Sequence, residues 1–177
     1  MIENNWITLV KPNKVDYKIS DNKKFGTVVI EPLEKGFGTT LGNALRRVLL
    51  SSLQGTAISS IKINGVLHEF STIEGVREDV TDIIMNLKNV TFNSKSNHSQ
   101  KLSLNVKGPK EVLSSDFEEN PDVEIIDKEA VIMNVDSNRE VNLEIFLDVN
   151  KGYISAEKNK DNENKSVGQI ILDATYS

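Results

Sequence analysis

Two hydrophobic periods alternate along this chain. In the last third, Val141, Leu143, Ile145, Leu147 and Val149 recur at every second position, which predicts a strand with one face buried. Leu102, Leu104 and Val106 repeat the pattern earlier, between polar residues. Residues 25–31, FGTVVIE, predict a further strand that stops at Pro32. Within AISSIKINGVLHEF the Asn64-Gly65 step predicts a hairpin with a type I′ turn. It would set Ile63 opposite Val66, Ile61 opposite His68 and Ser59 opposite Phe70.

Elsewhere the period lengthens to that of a helix. One helix is expected from about Thr39 to Ser52, ended by Gln54-Gly55. A second is expected from Ile73 to Lys88, where Val76, Val80, Ile83, Ile84 and Leu87 fall on one face. Ser71-Thr72-Ile73-Glu74 stands before it as a candidate capping box. The polar stretches SDFEENPD, at 115–122, and EKNKDNENKS, at 157–166, read as solvated loops. The fold class is therefore α+β. A short strand-and-helix unit is followed by a larger, mostly antiparallel β unit carrying one helix.

Composition narrows the chemistry. The 177 residues suffice for one good core or two small linked ones, and 38% of them are hydrophobic. The net charge of −5 argues against a nucleic-acid module, which would carry a basic face. The absence of cysteine excludes disulfides, thiolate metal sites and cysteine nucleophiles, and fits a reducing cytoplasm. No secretory signal or membrane-length apolar run is visible.

The glycine-rich stretch EPLEKGFGTTLGNALRRVLLSS, Glu31 to Ser52, poses the main chemical question. A Walker loop needs a lysine and a hydroxyl residue after its last glycine, whereas Asn43 and Ala44 follow Gly42. In a dinucleotide fingerprint the third glycine would come one residue earlier, and no acidic ribose ligand follows near Ser59–Ile63. A small nucleotide-binding enzyme using Gly36–Gly42 is thus the alternative reading, and sharp turning with close packing is the better one. His68-Glu69 lacks the second histidine of a zinc-protease helix, since Thr72 occupies that position. His68 reads as a partly buried strand histidine and His98 as a solvated loop residue, so a Ser-His-Asp site has little support. Glu118-Glu119 reads as a solvated charge run.

The first helix says more. Leu41, Ala44, Leu45, Val48 and Leu49 form one apolar stripe. Leu50 lies almost opposite, with Arg46 on one side and Asn43 and Arg47 on the other. Single exposed leucines are common. A leucine flanked by arginines nonetheless has the makeup of an interface hot spot.

Three blocks carry a resemblance: LEKGFGTTLGNALRRVLLSS, INGVLHEFSTIEGVREDVTDIIMNLKNV and the closing VGQIILDATYS. In order, they resemble the amino-terminal domain of the bacterial RNA polymerase alpha subunit. The match is strongest at 31–52 and 65–88, fair at 167–177 and weak across 89–165. The resemblance implies a non-catalytic assembly scaffold that dimerises and binds the beta and beta-prime subunits in transcription. No catalytic residue, metal or cofactor is expected on this chain, and no direct DNA or membrane binding. Residues 1–53 would be the N-terminal part of a dimerisation subdomain, and 54–177 an inserted β-rich subdomain. Position by position, Arg46, Arg47 and Leu50 would contact beta; Lys88 and Leu172 would contact beta-prime. Phe37, Leu41, Ala44, Leu45 and Val48 would form the dimer interface. The family continues past the position of Ser177 into a strand and a long helix that complete the dimerisation subdomain. Without them the stripe at Leu41–Leu49 is expected to be partly uncovered. An unrelated β-rich adaptor remains the third reading.

Overall fold

The structure is a computed structural model describing residues 8–21, 25–136, 138–161 and 168–176. In chain order its elements are β1 (Lys14–Ile19), β2 (Gly26–Glu31), α1 (Phe37–Ser51), β3 (Gln54–Ile63), α2 (Val80–Lys88), β4 (Phe92–Ser94), β5 (Gln100–Lys107) and β6 (Lys110–Leu113). There follow β7 (Val123–Ile125), β8 (Val131–Val135), β9 (Glu140–Lys151), β10 (Tyr153–Ile154), α3 (Ala156–Asp161), β11 (Ile170–Ile171) and β12 (Ala174–Thr175). They are mixed helix and mostly antiparallel sheet, the α+β class expected. The chain divides into two compact units, one reaching to Leu49 and the other beginning at Leu50.

In the first unit β1 and β2 pair antiparallel, with Val15 opposite Ile30 and Tyr17 opposite Val28. Because side chains alternate across a strand, Val15, Tyr17, Ile19, Val28 and Ile30 share one face of this ribbon. Lys14, Asp16 and Glu31 lie on the other, where the lysine ammonium bridges both carboxylates at 2.8 and 3.4 Å. Gly36, at φ 88°, supplies the left-handed turn before α1, and the Phe37 N–H donates to the Glu34 carbonyl at 3.0 Å. No residue of α1 is buried.

The second unit is organised by its longest strand. β9 lies between β3 and β5 in a four-stranded antiparallel sheet ordered β11-β3-β9-β5. Its register sets Leu143 between Ile63 and Leu104, and Ile145 between Ile61 and Leu102. All six side chains therefore point to one face, and all are buried. The amphipathic face of α2 meets this layer: Val80, Ile83, Ile84 and Leu87 join the same core, together with Ile132, Met133 and Val135 of β8. Asp79 caps α2 by accepting from the Asp82 N–H at 2.7 Å.

Four expectations are corrected by the structure. The Asn64-Gly65 turn forms, with Gly65 at φ 81° and the Val66 N–H donating to the Ile63 carbonyl at 3.1 Å, but no return strand follows it. Around Ile61 both edges of β3 are already taken, by β9 and by β11, so residues 66–70 have no edge to pair with. His68 is consequently exposed rather than part of a strand face; its Nδ1 lies 3.1 Å from the Ser71 hydroxyl.

The second helix begins at Val80, not Ile73. Thr72 bridges Asp79 and Val76 bridges Val135 in extended conformation, and Gly75 sits at φ 83°. The expected capping-box residues are otherwise engaged, Ser71 with His68 and Glu74 with Arg139. In the 157–166 stretch, residues up to Asp161 are helical in α3, and the rest lie outside the described residues. In the 115–122 stretch a 3-10 turn at Ser114–Asp116 delivers Phe117 into the core, so this loop is not merely solvated. The first helix starts at Phe37 and ends at Ser51, within two residues of expectation.

One close approach yields a prediction. A Cβ on Gly55 would lie 2.0 Å from the Tyr176 carbonyl oxygen, whereas one on Gly42, within α1, meets nothing within 4 Å. Gly55→Ala should lower unfolding stability by about 1–3 kcal/mol. Gly42→Ala should raise it by about 0.5–1 kcal/mol. Urea denaturation of the two variants checks both signs.

Candidate protein-interaction site

The residues singled out on α1 all lie on one exposed helix. Leu45 is 47% exposed and Leu50 50%, while Arg46, Arg47, Ala44, Phe37 and Val48 are exposed as well. Leu41 is half-buried. Thus the apolar stripe and the arginine-flanked leucine are both accessible. A helix of this amphipathic composition normally buries its stripe. Hydrophobic burial is worth roughly 1.5–3 kcal/mol per large side chain, so the exposure of Phe37, Leu45, Val48, Leu49 and Leu50 leaves binding energy available to a partner.

Lys88 and Leu172, far apart in sequence, converge in the second unit. Lys88 ends α2, and its ammonium lies 2.5 Å from the Asp173 carboxylate, next to Leu172. Leu172 itself is only 6% exposed and belongs to the core. Its N–H donates to the Ser59 carbonyl at 2.9 Å, and its carbonyl accepts from the buried Asn159 side chain at 2.8 Å. What the segment presents outward is therefore the Lys88–Asp173 pair. The pair stands beside a cavity of about 280 Å³ lined by Thr56, Ile58, Leu87, Phe92 and Thr175 among others. The hydrogen bond from Lys88 holds the Asp173 carboxyl below the ordinary carboxylate range, against the opposing pull of partial burial.

A second electrostatic feature shapes the approach to α2. Partial burial would push the Glu78 carboxyl up, but two hydrogen bonds from Asn134, both at 2.7 Å, outweigh it and hold the group below its ordinary value. This clamp ties residues 75–78 to β8 and so fixes where α2 begins. It is a structural device.

Sequence reasoning missed two exposed groups. Leu67 is 79% exposed and Phe70 82%, both in the bend after the Asn64-Gly65 turn. The hairpin expectation hid them, because it placed Phe70 on a paired strand face. Two large apolar side chains so exposed within four residues would have been a signal once that pairing was set aside. Asp173 was the other omission; its proximity to Lys88 comes from the β11–β3 pairing, which no local pattern announces.

Among the described residues no group of three or more His, Asp or Glu side chains is placed to hold a metal ion. Nor is any helix among them long and apolar enough to cross a membrane. The Gly36–Gly42 segment serves as the turn into α1 and its first helical turns.

A protein-family model described as the RNA polymerase Rpb3/RpoA insert domain matches residues 61–177. The chain belongs to that family and is an RNA polymerase alpha-type domain. Its place is accordingly in transcription, as a non-catalytic part of the assembly of RNA polymerase with the enzyme's other subunits. The match begins inside β3, so α1 and the β1–β2 ribbon precede it.

The Lys88–Asp173 pair sets a pH dependence. A carboxyl held lower in the folded than in the unfolded state stabilises fully above the unfolded value of about 3.9. That contribution is lost as pH falls through the depressed folded value. Because 31% and 48% of the two side chains are exposed, the pair is expected to contribute only about 0.2–1 kcal/mol. Asp173→Asn should thus cost this amount near neutral pH and converge with the parent protein in acid. Urea denaturation at the two extremes of pH reads the difference directly.

Proposed function

We propose that this chain is an assembly scaffold that works by presenting α1 and the Lys88–Asp173 edge to larger polymerase subunits. Arg46, Arg47 and Leu50 contact beta. Lys88 contacts beta-prime, and Leu172 supports it by seating the segment that carries Asp173. Phe37, Leu41, Ala44, Leu45 and Val48 pair with a second copy of the chain. Residues 1–53 serve this pairing as the first part of a dimerisation subdomain, and 54–177 form the inserted subdomain. The action takes place in the cytoplasm, where transcription complexes assemble.

The observation that carries this reading is the absence of any buried residue along the 15 residues of α1. A helix of ordinary propensity is marginal in water unless a face is packed, so exposed stripes on both sides ask for partners. The arginines suit such a role, since a planar guanidinium binds carboxylates in two-pronged fashion and stacks on aromatic rings.

The test is a titration of labelled chain with the beta subunit. Arg47→Ala and Leu50→Ala should each weaken binding while circular dichroism and the unfolding midpoint stay within about 0.5 kcal/mol of the parent. Truncated hot-spot residues typically cost 2 kcal/mol or more, or roughly thirtyfold in affinity. Unchanged affinity, or unfolding of either variant, would show that the residue is not a contact.

A further inference from the structure

A groove of about 780 Å³ opens on a part of the second unit that the scaffold proposal does not use. Its floor is apolar: Leu102 of β5, Phe117, and Val123 and Ile125 of β7. Its rim is acidic. Glu118, Glu119 and Glu124 line it, Asp122 adjoins them, and all four are exposed. Two lysines, Lys95 and Lys128, also line it, so the carboxylates outnumber the cations locally. Among the described residues none of the four carboxylates makes an ion pair, whereas Asp116, in the same stretch, is paired to Lys110 at 2.6 Å.

The wall is held in place by the backbone. The Glu118 N–H donates to the Ser103 carbonyl at 2.9 Å, and the Asp122 N–H to the Asn120 side chain at 2.9 Å. Among the described residues β7 has only β4 as a strand neighbour, and beyond the Asn120–Val123 bridge none of them forms a strand on its other edge. An apolar floor, an unpaired strand edge and a surplus of unpaired carboxylates together select one kind of occupant. We propose that the groove docks an extended basic segment of a partner protein, with apolar side chains on the floor and Lys or Arg against Glu118, Glu119 and Glu124. Main-chain pairing along β7 would give affinity, and the alternate pockets and charges would give specificity.

The test uses the whole chain and a short fluorescein-labelled peptide of alternating lysine and leucine, with a glutamate-for-lysine peptide as its counterpart. Anisotropy should report saturable binding of the basic peptide that weakens as salt is raised. NMR shifts should centre on Phe117, Val123 and Ile125. Reversal of the rim by Glu118→Lys, Glu119→Lys and Glu124→Lys should weaken binding about tenfold or more. An equal charge change made elsewhere, by Glu69→Lys, Glu111→Lys and Glu140→Lys, should leave it within about twofold, apart from the general field of the protein. No saturable binding, equal loss in both triple variants, or equal binding of the acidic peptide would each overturn the proposal. A solution mass that falls only in the rim variant would assign the groove to a second copy of the chain, and would likewise overturn it.

Discussion

The pairing of β9 with β3 and β5 is the constraint on which the second unit depends. One residue of slip would turn Leu143, Ile145 and Leu147 to the opposite face and bring Glu144 and Asp148 into the core. With the register as it stands, three strands deliver a continuous apolar layer, and α2 can lie on it only with Val80, Ile83 and Leu87 inward. That orientation carries Lys88 to the end of the helix beside Asp173. The position of one candidate contact therefore follows from strand register rather than from local preference.

The first unit follows a different logic. Its β1–β2 ribbon has an apolar face of Val15, Tyr17, Ile19, Val28 and Ile30, of which the first four are strongly exposed, and no residue of α1 is fully buried. Two-stranded ribbons and single helices are marginal alone, and contiguous exposed apolar surface marks an interaction site. A domain of RNA polymerase that assembles with other subunits has a use for such surface. The burial missing from this unit is the binding energy that assembly can supply.

Much of this was legible in the sequence where a period ran long enough to identify an element. The Val141–Val149 alternation and the apolar spacing of Val80–Leu87 appear in the structure as β9 and α2, with their faces as expected. The strand at 26–31 and the helix at 37–51 fall where the pattern placed them. Short motifs misled. Asn64-Gly65 does make a tight turn, but turn chemistry cannot reveal that the edge beside Ile61 is reserved for β11, more than a hundred residues later. Ser71 and Glu74 have the spacing of a capping box, yet a bridge from Val76 to Val135 holds this segment extended until Asp79 takes over as the cap. Of the candidate contacts, the placement of Arg46, Arg47 and Leu50 away from the apolar stripe was legible from helical projection alone. The burial of Leu172 and the exposure of Leu67 and Phe70 depend on long-range pairing and could not.

Hydrogen–deuterium exchange on the whole chain, with and without the beta subunit, tests the exposed-helix account most directly. Amides of residues 37–51 should exchange quickly in the free chain, because no residue of this helix is buried, and should slow markedly once beta is bound. Fast exchange that persists in a demonstrably formed complex would contradict the account, since beta would then be held by some other surface.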